Sequence, residues 1–109
     1  MTRTPTAKNI SKITLQVYND PGHGWIKIPL VLLQQLEIVK EITKYSYIKR
    51  PDMQSNKGFA YLEEDCDAAT LINAMKEKGI IYAFKENTSD KSSHIRSYPR
   101  FTIYTAWGL

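Results

Sequence analysis

With 109 residues, of which 42% are hydrophobic and 24% charged, the chain has enough apolar side chains for one core, is too short for two, and is not composed like a disordered segment. Its net charge of +4 is unevenly placed, because residues 1–50 hold eight Lys or Arg against three Asp or Glu, so the N-terminal half is the part suited to phosphate or to an acidic protein. A single cysteine, Cys66, excludes an intramolecular disulfide and a cysteine-rich metal centre, and no apolar run has membrane-spanning length or the form of a leader, so the expectation is a cytoplasmic protein without a membrane partner.

Residues 1–11 are rich in Thr, Ser, Lys and Asn and lack periodicity, as a flexible N-terminal arm would. Ile13, Leu15 and Val17 then alternate with Thr14, Gln16 and Tyr18, the pattern of a strand with one core face. Asn19 to Gly24 concentrate turn formers, Pro21 fixing a backbone angle and Gly22 and Gly24 freeing theirs. Trp25 to Ile28 read either as a second strand closing a hairpin or as an extended approach to a helix. Pro29 suits the start of a helix and Leu30 to Leu36 supply its apolar residues. Ile42 to Ile48, with Thr43, Tyr45 and Tyr47, have the β-branched and aromatic content of a strand. After the polar loop Lys49–Asn56, residues 57–62 alternate again, with Phe59 and Tyr61 on one face and Ala60 and Leu62 on the other. Ala68, Leu71, Ile72 and Met75 recur at helical spacing, with Asp65 or Asp67 as the cap and Gly79 just past the end. Ile80 to Lys85 read as a strand. Residues 88–94 form a polar loop, and 95–109 regain hydrophobicity as an aromatic strand or strap packed on the domain.

The order predicts an α+β domain over 12–87: an antiparallel sheet of four or more strands with two helices on one face, ferredoxin-like or related. Within it, Lys57-Gly58-Phe59-Ala60-Tyr61-Leu62 resembles the sheet motif of the RNA-recognition-motif family, and the likeness extends over Leu32 to Gly79. The resemblance implies Phe59 and Tyr61 as rings that stack on bases and Lys57 as a phosphate contact, with single-stranded RNA or DNA as partner. Glu64 and Thr14 stand where that family carries aromatics. Lys44, Lys49 and Arg50, interleaved with Tyr45 and Tyr47, add positive charge suited to the same ligand. The two rings also fit a second role, packing beneath the C-terminal aromatics.

The functional expectation is a small nucleic-acid-binding or regulatory accessory protein. The alternative is a non-enzymatic protein-interaction module using His23, Trp25, Tyr98 and Trp107; a vaguer resemblance of residues 20–25 and 61–67 to small phage or bacterial proteins implies an origin at most. An enzyme is the weaker reading. It would need His23 or His94 to meet one of Glu63, Glu64, Asp65 or Asp67, and the chain has neither a phosphate-binding glycine loop nor a serine elbow. The two histidines lack metal-ligand spacing along a helix, so neither a metal nor a cofactor is expected.

Overall fold

A computed structural model describes residues 12–109, so the N-terminal arm expected over residues 1–11 lies outside the described residues. Among the described residues are five strands and two α-helices: β1 (Lys12–Asn19), β2 (Gly24–Pro29), α1 (Leu30–Gln35), β3 (Tyr47–Lys49), β4 (Phe59–Glu63), α2 (Asp67–Glu77) and β5 (Ile81–Thr88). They form one sheet in the order β3-β4-β2-β1-β5. The class is α+β as expected, but the sheet is mixed rather than antiparallel, since β5 runs parallel to β1. The reason is the Asn19–Gly24 hairpin: it lays β1 antiparallel against β2, and the chain leaving α2 meets β1, not β2, at the open edge.

Alternation along the strands divides the side chains cleanly. Leu15, Ile26, Ile28, Ile48, Ala60 and Leu62 point to one face and join Leu30, Leu33 and Leu36 of the α1 region and Leu71, Ala74 and Met75 of α2 in the main core. Each fully buried Leu, Ile or Met there contributes roughly 1.5–3 kcal/mol by leaving water. Helix α2 ends as its sequence dictates: Gly79 takes φ +70°, its N–H donates to Lys76 O and that of Ile80 to Met75 O, closing the last turn, while the Ile80 side chain is buried in the core. Its start differs from expectation. Cys66 is the capping residue without a side-chain bond to the helix, and the buried Asp67 carboxylate instead accepts from the Thr43 N–H and hydroxyl and the Ser46 hydroxyl.

That network also shortens β3. The strand expected over Ile42–Ile48 is confined to Tyr47–Lys49, because the Thr43 amide is bonded to Asp67 instead of to a neighbouring strand, and residues 39–41 coil into a 3-10 turn that leaves Ile38 and Ile42 in the core. Gly58 precedes β4 with φ +107°, and any Cβ there would run into the Lys49 carbonyl, so glycine is required for β4 to lie against β3.

The C-terminal segment does three jobs in turn. His94–Ser97 form a 3-10 turn across the second sheet face, burying Ile95 against Trp25, Tyr47 and Tyr61. Residues 99–101 then run beside β3, with Ile48 N–H donating to Pro99 O and Phe101 N–H to Ser46 O, which covers that edge. Phe101 enters the main core, whereas Ile103, Tyr104 and Trp107 on the closing turns stay exposed. Phe101→Ala should therefore cost about 3–5 kcal/mol and Trp107→Ala no more than about 0.5 kcal/mol, read as shifts in a chemical-denaturation midpoint; equal effects would contradict this division of the tail.

Candidate functional site

The face away from the helices carries the polar and aromatic residues. Cross-strand pairing sets Tyr47, Tyr61, Lys27, Gln16 and Lys85 in one row, Lys49 and Phe59 in the row beside it, and Glu63, Trp25 and Tyr18 in the row on the other side. The second row is basic and open; the third ends in a carboxylate.

Asp20 fastens the strap to this face. Its buried carboxylate accepts from the Gly22 and His23 amides of the hairpin and, 73 residues along the chain, from the Ser93 amide, while Arg96 grips both oxygens at 2.8 and 2.9 Å. The Arg96 guanidinium, first, and then these backbone donors hold the Asp20 carboxyl well below its ordinary value of 3.8, and Asp20 in turn raises Arg96. The same guanidinium lies 5.3 Å from the centre of the Trp25 ring, and that of Arg100 4.8 Å from Tyr47.

The residues singled out from the sequence fall into two groups. Phe59 is 36% exposed, with the Lys27 ammonium 4.2 Å from its ring centre, and it sits directly across from Lys49, whose ammonium is 5.3 Å from the Tyr98 ring; Lys57 is exposed in the loop entering β4. These form one surface. Tyr61 belongs to the same face but is only 7% exposed, its ring 5.2 Å from Tyr98, and burial first, then Tyr98, pushes its phenol up to about 12, so it remains neutral. Arg50 donates to the carbonyls of Ser55, Met53, Thr105 and Trp107, which ties the closing turns to the 50–58 loop. Lys44 lines a separate hollow with Tyr45, Arg100 and Thr102. Of the residues assigned to protein binding, Trp25 is buried against Tyr47, His23 is exposed with its ring 6.1 Å from Trp25, Tyr98 is half-buried and Trp107 is exposed.

Beyond the Glu63 end of the face lies a cleft of about 480 Å³ walled by Trp25, Tyr47, Arg96 and Arg100. Three groups come together there that residue spacing did not bring together: His23 from the hairpin, Glu63 from the end of β4 and Asp65 from the turn into α2, with ligand atoms all within 4.8 Å of one another. His94, the other histidine, lies on the strap with its ring 5.7 Å from Tyr98. The sequence offers His23 with Glu63 or Asp65 only as the acid–base pair an enzyme would need; what brings the end of β4 to the hairpin is the β2–β4 register, which pairs Trp25 with Glu63. Cys66 also borders the cleft; burial, assisted by Glu63 and Asp67 and opposed by the Thr43 hydroxyl, pushes its thiol up, so it is not a thiolate nucleophile.

Compared with known proteins, the chain matches no protein-family model, no curated protein and no solved structure. No helix among the described residues is long and apolar enough to cross a membrane.

The Asp20 anchor titrates in a defined direction. A carboxyl whose pKa is lower folded than unfolded adds stability that is complete above the unfolded value and is lost as pH falls toward the folded one. Wild type should therefore lose more stability than Asp20→Asn between about pH 5 and about pH 2, the difference in denaturation midpoints narrowing as Asp20 is protonated. Parallel acid curves for the two proteins would show that the strap does not depend on this charge.

Proposed function

We propose that the protein binds single-stranded nucleic acid across the open part of its second sheet face, with Phe59 and Tyr98 as stacking rings and Lys27, Lys49 and Lys57 as phosphate contacts. The observation that carries this reading is the pairing of an exposed ring with ammonium groups in one surface: Lys27 over Phe59, Lys49 between Phe59 and Tyr98, Lys57 at the rim. Every base offers a π-face to such rings, and every phosphate a charge to such lysines, so the arrangement tolerates sequence while demanding an unpaired strand. Tyr61 serves beneath Tyr98 as its support, and Arg50 shapes the neighbouring loop.

The connectivity supports the same reading. Leaving β1 aside, the order β2-α1-β3-β4-α2-β5 is a β-α-β-β-α-β unit, so we take the fold to be related to the ferredoxin-like type with β1 inserted between β2 and β5. In that frame the strand beside β4 is β2, and Trp25 and Lys27, not Thr14, stand next to the Lys57–Leu62 motif on the shared face. The resemblance to RNA-recognition motifs is thereby proposed for the β2–β4 pair.

A protein-binding role has one observation of its own, the exposed Ile103, Tyr104 and Trp107 gathered on the closing turns. The two readings use different residues and separate experimentally. Fluorescence anisotropy with labelled single-stranded RNA and DNA, run as a salt series, should give saturable binding whose logarithm falls with log salt at a slope near −2, roughly −0.7 for each of three lysine contacts. Phe59→Ala should weaken it by about 1–3 kcal/mol, Lys49→Ala should flatten the slope, and Trp107→Ala should change neither. Absence of saturable binding at low salt, or equal binding by Phe59→Ala, removes this function.

A further inference from the structure

The cleft at the Glu63 end of the face shares no side chain with the proposed nucleic-acid surface, its candidate ligands coming from the hairpin, the last residue of β4 and the turn into α2. We infer that His23, Glu63 and Asp65 bind a divalent first-row transition-metal ion of the zinc or manganese class. The donors are one imidazole and two carboxylates, a set matched to those ions, whereas a soft-metal site would take thiolates. Their ligand atoms lie within 4.8 Å of one another. Donors about 2.0–2.2 Å from a common ion stand roughly 3–4 Å apart, so closing on the ion needs only small rotations of His23 and Asp65, which are exposed and free to turn.

Glu63 is the fixed member and the independent reason for a cation. It is 8% exposed, and its Oε2 accepts from the Cys66 amide at 3.2 Å and from the Cys66 thiol, which holds the carboxylate toward the cleft. The sole ion pair among the described residues is Arg96 with Asp20, so no Lys or Arg among the described residues lies within ion-pair distance of Glu63 or Asp65. Arg96 is held by Asp20, and Arg100 by the Tyr47 ring and the Lys44 carbonyl. Two neighbouring carboxylates, one of them buried, repel each other and lose hydration, and a bound divalent ion offsets both costs.

The frame around them is set before any ion arrives. The Glu63 backbone is paired with Trp25 and its amide donates to the buried Ser46 hydroxyl, and the His23 amide is anchored on Asp20. Three protein ligands leave coordination positions facing the 480 Å³ cleft, as in metal sites that accept water or an exogenous ligand.

The test uses the whole chain, free of any histidine tag and stripped with EDTA, titrated calorimetrically with zinc chloride and separately with manganese chloride. One equivalent of at least one ion should bind saturably and raise the thermal midpoint. His23→Gln and Asp65→Asn should each weaken that binding by at least about tenfold, while their denaturation midpoints in EDTA remain near that of wild type and His94→Gln binds as wild type does. Absence of saturable binding of either ion up to about 1 mM, or undiminished binding by either His23→Gln or Asp65→Asn, overturns the assignment.

Discussion

The second face of the sheet depends on one carboxylate. Asp20 sits at the bend of the β1–β2 hairpin, and five donors converge on it: two amides of its own turn, the Ser93 amide and two nitrogens of Arg96. Without this anchor the segment from Ser89 to Tyr98 would lose its one ion pair among the described residues, which helps to keep Ile95 over Trp25, Tyr47 and Tyr61. A charge-assisted, two-pronged bond onto a buried carboxylate suits this role because it fixes direction as well as distance. It also decides which aromatics are open: Tyr98 comes down over Tyr61, and Phe59, one pair further along β4, is left uncovered.

Asp67 performs the matching task on the opposite side of the strand ends. It binds Thr43 and Ser46, and the Ser46 hydroxyl passes the connection on by accepting the Glu63 amide, so the loop before β3, the end of β4 and the start of α2 are joined through buried polar groups. Such a network is stable only when every member is satisfied, and no buried side-chain nitrogen or oxygen among the described residues lacks a partner. Its structural consequence is the short β3. Its local consequence is that Glu63 leaves the sheet at a defined angle, with Cys66 folded back on its carboxylate.

Periodicity alone carried the residue-level reading wherever one side of an element meets the core. The division of Phe59 and Tyr61 from Ala60 and Leu62, the core face of Leu15, and the span of α2 up to Gly79 follow from alternation, helical spacing and a left-handed cap. What periodicity could not carry was partnership between distant segments. Residues 42–46 have strand-like composition, but their amides and hydroxyls meet Asp67, a choice made 20 or more residues away. The parallel β1–β5 pair has the same origin, since β-branched content says nothing about which edge a strand joins. The candidate site divided likewise: the lysines and Phe59 lie near one another in the sequence or on paired strands, whereas the His23, Glu63 and Asp65 group exists only through the β2–β4 register. Arg50 is the reverse case, a basic residue in a basic stretch whose donors are all directed at backbone carbonyls.

Strand β4 is thus electrostatically graded along its length. At its start Phe59 lies among Lys27, Lys49 and Lys57; at its end Glu63 lies with Asp65 and the exposed Glu64. Phe59 and Glu63 stand about 13 Å apart along β4, beyond a Debye length of about 8 Å at physiological salt, so the two ends act on a ligand nearly independently. A polyanion held at the lysine end would be turned away from the carboxylate end, and the strand would set the direction in which a bound chain leaves the face. A divalent ion between Glu63 and Asp65 would offset the charge of those two carboxylates and weaken that repulsion, so the grade along β4 is a property that the state of the cleft can change.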